Sequence, residues 1–167
     1  MSRAFTPVAP LTARHVVDGF DCGSPAQSNW LVRHALEAHR SGRSRVYVSC
    51  GLDEADQRVL GYYALSPATV RRSNGSDDSD YVSTLVLARL GVDLSAEPDG
   101  LSRALAVDAL RRIAVAGPDF GVRAVLIHCE DQAAREFYRG LAAFPDSPTD
   151  SMHLLLPMNA LQTALES

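Results

Sequence analysis

The second half of the chain alternates two kinds of apolar pattern, and that alternation constrains the fold more than any other feature. Tyr81–Val92, YVSTLVLARLGV, is a long apolar run suited to a central strand buried on both faces. Across Ser102–Ala116, residues Leu105, Ala106, Ala109, Leu110 and Ile113 recur at steps of one and three, the spacing of an amphipathic helix, and Gly117-Pro118 stops it. Val122–Cys129, VRAVLIHC, reads as a second central strand. A third helix is expected from about Asp131 to Leu141, with Ala134, Phe137, Tyr138 and Leu141 on one side. Met152–Leu156 is a short last strand before a weak tail helix. A strand–helix–strand–helix–strand order requires at least one parallel crossover, so the class is α/β.

The first half adds a helix and a hairpin. Residues 24–41 read as one helix, with Ser24 as N-cap, Pro25 at its first position and Gln27 completing a capping box. Trp30, Leu31, Ala35 and Ala38 mark its buried stripe and Gly42 ends it. Arg33, Glu37 and Arg40 occupy the other side, running on to Arg43 and Arg45, while His34 and His39 are expected to be solvated or partly packed. Arg45–Cys50 and Val59–Leu65 flank the polar turn Gly51–Arg58 as a hairpin. Ser73–Asp80, SNGSDDSD, reads as an exposed loop, and no internal repeat is present.

Composition narrows the function classes. A chain of 167 residues that is 46% hydrophobic and 22% charged can build one real core, so a single domain over 1–167 is expected. Three cysteines, Cys22, Cys50 and Cys129, without C-x-x-C spacing argue against a disulfide scaffold or a zinc site; no metal is expected, and a reducing compartment fits. No apolar run approaches the ~18 residues of a membrane span, and MSRAFTPVAPLTARH has no signal-peptide core, so the expectation is a cytoplasmic protein with no membrane partner. A net charge of −4 excludes a bulk polyanion binder, so a nucleic-acid role must come from a local basic patch. All 16 basic residues are Arg. Codon usage of a GC-rich genome explains that, as would a chain that avoids Lys amines, the commonest side-chain target of acetylation.

Two places could carry chemistry. The loop from Leu90-Gly91-Val92-Asp93 through Glu97-Pro98-Asp99-Gly100-Leu101-Ser102-Arg103 leads from a strand into a helix. Backbone N–H groups at such a junction favour an anion, with Gly100 allowing close approach and Ser102 able to cap the helix. One Gly before a helix is also ordinary connection chemistry. Tyr138, beside Phe137, is either core or, with an unperturbed pKa near ~10, a general acid able to protonate a leaving thiolate. His128 closes a central strand and reads as a satisfied strand-end histidine or as a catalytic one.

Three landmarks between about residues 19 and 157 carry a family resemblance. These are Gly19-Phe20-Asp21-Cys22-Gly23 followed by Asn29-Trp30-Leu31 and the Arg-rich helix, Leu87-Ala88-Arg89-Leu90-Gly91-Val92-Asp93, and Ala134-Arg135-Glu136-Phe137-Tyr138. In this order the chain resembles the GCN5-related N-acetyltransferases, and within them the TacT-type acetyltransferase toxins of bacterial toxin–antitoxin pairs. The resemblance implies a mixed central sheet, flanked by helices and splayed between two adjacent parallel strands, with acetyl-CoA as co-substrate in the opening. Leu90, Gly91 and Val92 would meet the pantetheine, with the hydrogen bonds from the backbone of Leu90 and Val92. Pro98, Asp99, Gly100, Leu101, Ser102 and Arg103 would cradle the pyrophosphate, and Tyr138 would protonate the CoA sulfur. The acceptor would be the α-amine of aminoacyl-tRNA, whose acetylation stops translation. A ribbon–helix–helix antitoxin and a second copy of the chain would be partners.

The phosphate loop departs from the family's Q/R-x-x-G-x-G/A pattern. Here it reads Glu97-Pro98-Asp99-Gly100-Leu101-Ser102, keeping only the middle Gly, with a Pro that has no N–H and two added carboxylates. Asp77, Asp78 and Asp80 would repel RNA if their loop faced the acceptor side, which moves the expected footprint to Arg33, Arg40, Arg43, Arg45, Arg71, Arg72 and Arg89, otherwise a solvated helix face and loops. The Arg-rich helix favours a tRNA-acetylating enzyme over a small-molecule or protein amine acetyltransferase. The altered loop favours a third alternative, a degenerate member that survives as a binding module.

Overall fold

Hydrogen bonding links six strands in chain order, β1 to β6, into one mixed sheet. The computed structural model describes residues 4–52, 57–71, 81–142 and 152–166. Its strands are β1 (Ala9–Pro10), β2 (Arg45–Cys50), β3 (Val59–Arg71), β4 (Tyr81–Val92), β5 (Ala124–His128) and β6 (His153–Pro157). The helices are α1 (Pro25–Arg33), α2 (Ala35–Ser41), α3 (Leu101–Ala116), α4 (Gln132–Arg139) and α5 (Met158–Glu166). β1–β2, β2–β3 and β5–β6 pair antiparallel, and β4–β5 pairs parallel from Thr84↔Ala124 to Leu87↔Ile127. The parallel pair is the crossover that the alternating pattern demands, with α3 between its strands. Contacts divide the chain into two compact units, the first holding the chain to Leu65 and Arg89–Ala109, the second holding the remainder. β3, β4 and α3 contribute residues to both.

In the first unit the β2–β3 hairpin forms as expected, from Arg45↔Leu65 to Cys50↔Val59 with an irregularity at Ser49/Cys50, and β3 then runs on to Arg71. Phe20, Leu31, Ala35, Val46, Val48, Val59 and Tyr62 build its core. The first half of α3 lies close on β3: a Cβ on Gly61 would come within 2.7 Å of Leu105 Cδ1 and 2.8 Å of Leu101 Cδ2. Tyr63, fully buried, donates its hydroxyl proton to the Asp108 carboxylate at 2.6 Å. The amphipathic spacing therefore reports a real contact, and Leu105, Ala106 and Ala109 are all buried.

In the second unit Val125 and Ile127 of β5 and Leu154 and Leu156 of β6 are buried, and Leu161 of α5 closes over them. The ends are tied by backbone: Arg123 N–H donates to Ser83 O at 2.8 Å, and Met158 N–H to Arg123 O at 2.8 Å. Gly117-Pro118 does end α3, continuing as a 3-10 turn over Gly117–Phe120.

Three expectations need correction. The helix over 24–41 is two helices, because His34 leaves helical geometry at φ −125°, ψ −21°. Its N–H still bonds Trp30 O and its carbonyl still accepts from Ala38, so the ladder bends without ending. The bend lets Ala35 and Ala38 bury and brings His39 Nδ1 to accept from Val46 N–H at 3.0 Å. Apolar spacing continues across the bend, so periodicity does not register it. Second, β4 is central but not buried on both faces: Thr84, Leu87, Gly91 and Val92 are covered, Leu85, Val86 and Leu90 are half-covered, and Tyr81 is 49% exposed. Apolar composition reports what a strand can bury, whereas coverage depends on what packs there. Third, α3 begins at Leu101 with Gly100 as its cap residue, so Ser102 lies inside the first turn and does not cap it. Ser73–Asp80 and Arg72 fall outside the described residues.

Candidate active site

The phosphate-loop candidate lies wholly in the first unit. Glu97, Pro98 and Asp99 form one 3-10 turn, and Gly100 follows at φ +80°, the left-handed region. A Cβ there would meet nothing within 4 Å, so backbone conformation, not space, calls for glycine. Gly100 O then accepts from Ala104 N–H at 3.3 Å, starting α3. The donors can be counted. Pro98 has no N–H, and Asp99 N–H is committed to Ala96 O at 3.1 Å. The first N–H groups of a helix have no partner within it, so Leu101, Ser102 and Arg103 aim theirs outward at the positive end of α3. This donor set suits a pyrophosphate at Gly100–Arg103, with Pro98 and Asp99 shaping the turn. Leu101 is buried beneath, whereas Arg103, Glu97 and Pro98 are exposed.

A hydrogen-bonded brace holds the chain between β4 and this loop. Asp93 accepts from Asp21 N–H at 3.0 Å and from Ser95 N–H and Oγ–H at 3.1 and 2.7 Å, and Leu94 N–H returns to Asp21 O at 2.8 Å. Burial pushes the Asp93 carboxyl up, but these bonds and the Arg58 charge outweigh it and hold it below its ordinary value. The Asp21 landmark therefore exists to fasten the loop. Gly91 serves the same packing: a Cβ there would come within 3.1 Å of Cys22 Sγ and 3.2 Å of Tyr62 Cε1, so its contribution to any ligand is backbone only. Leu90 is half-buried and Val92 buried beside it.

The arginines sort by environment. Arg33, Arg40 and Arg45 are exposed, and Arg43 forms an exposed ion pair with Glu37 at 3.9 Å. Arg45 is felt by His39, whose pKa falls through burial and then through that charge. Arg89 differs. Its Nη1 donates to Gln27 Oε1 at 2.9 Å and its guanidinium carbon lies 4.9 Å from the Trp30 ring centroid. Gln27 thus spends its carbonyl oxygen on Arg89, while Ser24 Oγ accepts from Gln27 N–H at 3.3 Å as an N-cap should. Arg71 ends β3, and Arg72 lies outside the described residues.

Tyr138 belongs to the second unit. Asp131 caps α4 by accepting from Ala134 N–H at 2.8 Å, which sets the helix phase and turns Tyr138 inward to 5% exposure. Burial, reinforced by Cys129, pushes its phenol well above the usual tyrosine value. Burial likewise raises Cys129, with Arg135 and Arg139 pulling against it. No hydrogen bond to the Tyr138 hydroxyl is formed among the described residues. His128 pairs with His153 across the β5–β6 ladder, ring nitrogens 2.8 Å apart, which satisfies it as a strand-end histidine. A cleft of about 680 Å³ in this unit is lined by Tyr81, Thr84, Arg123, Leu155 and Met158 among others, and none of the acetyl-CoA candidates lines it. Among the described residues no cluster of three or more His, Cys, Asp or Glu could hold a metal, and no helix is long and apolar enough to cross a membrane.

Gln27, Tyr62 and Cys129 are the site neighbours that sequence reasoning gave no part in the site, and the pairing of Asp93 with Asp21 also escaped it. Asp21 and Asp93 stood in two separate landmarks, and an acidic residue two positions from a glycine in each was the available signal.

The mixed sheet, with α3 between the strands of its parallel β4–β5 pair, defines the N-acetyltransferase fold of the GCN5-related class. No protein-family model matches the chain. A tRNA-acetylating toxin of Mycobacterium tuberculosis is 36% identical over 147 residues, 85% of this chain and 86% of that protein. AtaT complexed with acetyl-methionyl-tRNAfMet superposes with a TM-score of 0.84 at 24% identity, over 96% of this chain and 98% of the other. A tyrosine-to-phenylalanine mutant of AtaT, bound to the C-terminus of the antitoxin AtaR and to acetyl-CoA, gives a TM-score of 0.84 at 24% identity, over 98% of this chain and 99% of the other. The chain belongs to the tRNA-acetylating toxins, a branch of the GCN5-related N-acetyltransferases.

Proposed function

We propose that this protein is an acetyl-CoA-dependent N-acetyltransferase toxin that acetylates the α-amine of aminoacyl-tRNA and so blocks translation. The observation that carries the reading is its 36% identity to a tRNA-acetylating toxin across 85% of the chain. In the reaction, the neutral amine attacks the thioester carbonyl carbon. The new C–N bond forms, the C–S bond breaks, the amine's surplus proton goes to solvent, and the departing sulfur takes a proton. Tyr138 is the proposed source of that proton, and its phenolate takes one back from solvent to complete the cycle. The backbone of Leu90 and Val92 is proposed to bind the pantetheine, and the amides of Gly100–Arg103 the pyrophosphate.

Burial makes Tyr138 a weaker acid than a thiol in water. Protonation is therefore coupled to C–S cleavage, where a developing thiolate in an equally dry site is itself more basic. The exposed arginines Arg33, Arg40, Arg43 and Arg45 are the proposed tRNA contacts, together with Arg71 and Arg72. An antitoxin of the ribbon–helix–helix type and a homodimer complete the proposal; AtaT in complex with the antitoxin AtaR supports an antitoxin partner, whatever its fold.

Incubation with labelled acetyl-CoA and total charged tRNA tests the function. Label on the aminoacyl group supports it. Label confined to a small amine or a protein, or no acetyl-CoA binding at all, would replace it with one of the two alternatives above.

A further inference from the structure

Arg89 opens the strand segment that leads through Leu90 to Val92, and its charge alone would assign it to RNA. Its surroundings give it another task. One edge of the guanidinium donates to Gln27 Oε1 at 2.9 Å, and the group lies 4.9 Å from the Trp30 ring centroid. Trp30 stacks on Tyr62 at 6.0 Å between centroids and 14° between planes. Tyr62 is fully buried and donates its hydroxyl proton to the Gln27 backbone carbonyl at 2.8 Å. Gln27 is itself only 7% exposed, so its side-chain amide depends on these partners. Two residues beyond Arg89, Gly91 packs against Cys22 and the same Tyr62 ring. The end of β4 is thus fastened to α1 through the stacked Trp30–Tyr62 pair by two routes, Arg89 against Trp30 and Gly91 against Tyr62.

We propose that Arg89 is a positioning residue that holds the Leu90–Val92 backbone against α1, and so governs acetyl-CoA binding without contacting RNA phosphates. The inference rests on the reading of Leu90 and Val92 as the pantetheine-binding backbone. It requires an arginine: the planar fork can bond Gln27 along an edge while its face stays near the indole, and a lysine ammonium supplies the charge without that geometry.

The charge-retaining variant makes the test. In Arg89→Lys the acetyl-CoA dissociation constant, measured by calorimetry without RNA, should rise about tenfold, the loss expected for one charge-assisted bond with its stacking. The KM for charged tRNA and the salt dependence of tRNA binding should stay at parental values. Gln27→Met touches no cation, yet should weaken acetyl-CoA to a similar extent. The double variant Arg89→Met/Gln27→Met should be no worse than Arg89→Met alone, because both remove one interaction. Trp30→Phe provides a milder variant should either of these fold poorly, and should weaken acetyl-CoA while leaving tRNA untouched. The proposal is overturned if Arg89→Lys binds acetyl-CoA like the parent, or if Arg89→Met weakens tRNA binding and reduces its salt slope by about one. A parent that binds no acetyl-CoA overturns this inference and the functional reading together. A parent that binds it while Arg89→Lys is unchanged overturns the positioning role alone.

Discussion

Replacing Tyr138 by Phe removes one oxygen from a ring that is 5% exposed and leaves its packing in place. Because the hydroxyl has no hydrogen-bond partner among the described residues, no partner is orphaned, and stability should change by no more than about 0.5 kcal/mol. Catalysis should respond quite differently. General acid catalysis contributes roughly 10²–10⁴-fold, or about 3–5 kcal/mol of barrier. Single-turnover transfer of labelled acetyl to charged tRNA should slow within that range, while thermal melting and acetyl-CoA affinity hold. The same phenol predicts a pH effect. Its folded pKa is raised above the ordinary value of 10.0, so between that value and the folded pKa the native state holds a proton that the unfolded state has lost. The stabilisation is complete below pH 10.0 and falls away as pH rises above it, and Tyr138→Phe should flatten that part of the stability curve. A Phe variant that transfers acetyl at the parental rate would refute the acid role and return Tyr138 to the core.

The N–H that Pro98→Gly supplies sits in the first turn of a 3-10 helix with no internal partner, so acetyl-CoA should tighten by about a decade by calorimetry, and by less in Glu97→Gln, whose exposed charge is screened over ~8 Å. Equal affinities in parent and both variants would show that the loop does not hold the pyrophosphate. Arg33→Gln and Arg40→Gln should each weaken tRNA binding and lower its salt slope by about 0.7–0.9, leaving acetyl-CoA affinity unchanged. The reverse pattern in filter binding and calorimetry would overturn the assignment. Gly61→Ala places a methyl within 2.8 Å of both Leu101 and Leu105, and denaturant melts should show a loss of about 1–3 kcal/mol. An unchanged midpoint would mean that α3 can move off β3 at little cost.

The elements that rest on local patterning were legible. β2, β4, β5, β6 and α3 fall within a residue or two of the expected ranges, because alternation, apolar runs and helical spacing are properties of neighbouring residues. Features set by distant partners were not. The bend at His34 serves Val46, twelve residues on, through His39. The clamp around Arg89 joins residues 27, 30, 62 and 89, and no window along the chain contains them together. Ser102 looked like a cap because serine usually is one, but the left-handed Gly100 had already started the helix. Tyr138 stands out in the sequence only as part of a landmark, and Cys129, which raises its pKa, reveals itself only through space. Activity came from the resemblance; composition and spacing alone reached α/β and a weak anion site.

The arginines show why counting charge does not measure RNA affinity. The chain is net −4, and its basic groups are not equivalent. Arg89 is engaged with Gln27 and Trp30, and Arg43 is partly neutralised by Glu37 at 3.9 Å. Arg33, Arg40, Arg43 and Arg45 are exposed, with Arg43 tied to Glu37. Under the proposed footprint of Arg33, Arg40, Arg43, Arg45, Arg71 and Arg72, six phosphate contacts would give a salt slope of about −4 to −5. Phosphate contacts cannot by themselves select a substrate, because every tRNA presents phosphates alike. Discrimination then has to come from the acceptor end, where the α-amine must reach the thioester carbon in line for attack. In the proposed site that requirement would fall on the rigidity of the Leu90–Val92 strand end, and so on the brace from Asp21 to Asp93 and the aromatic clamp beside it.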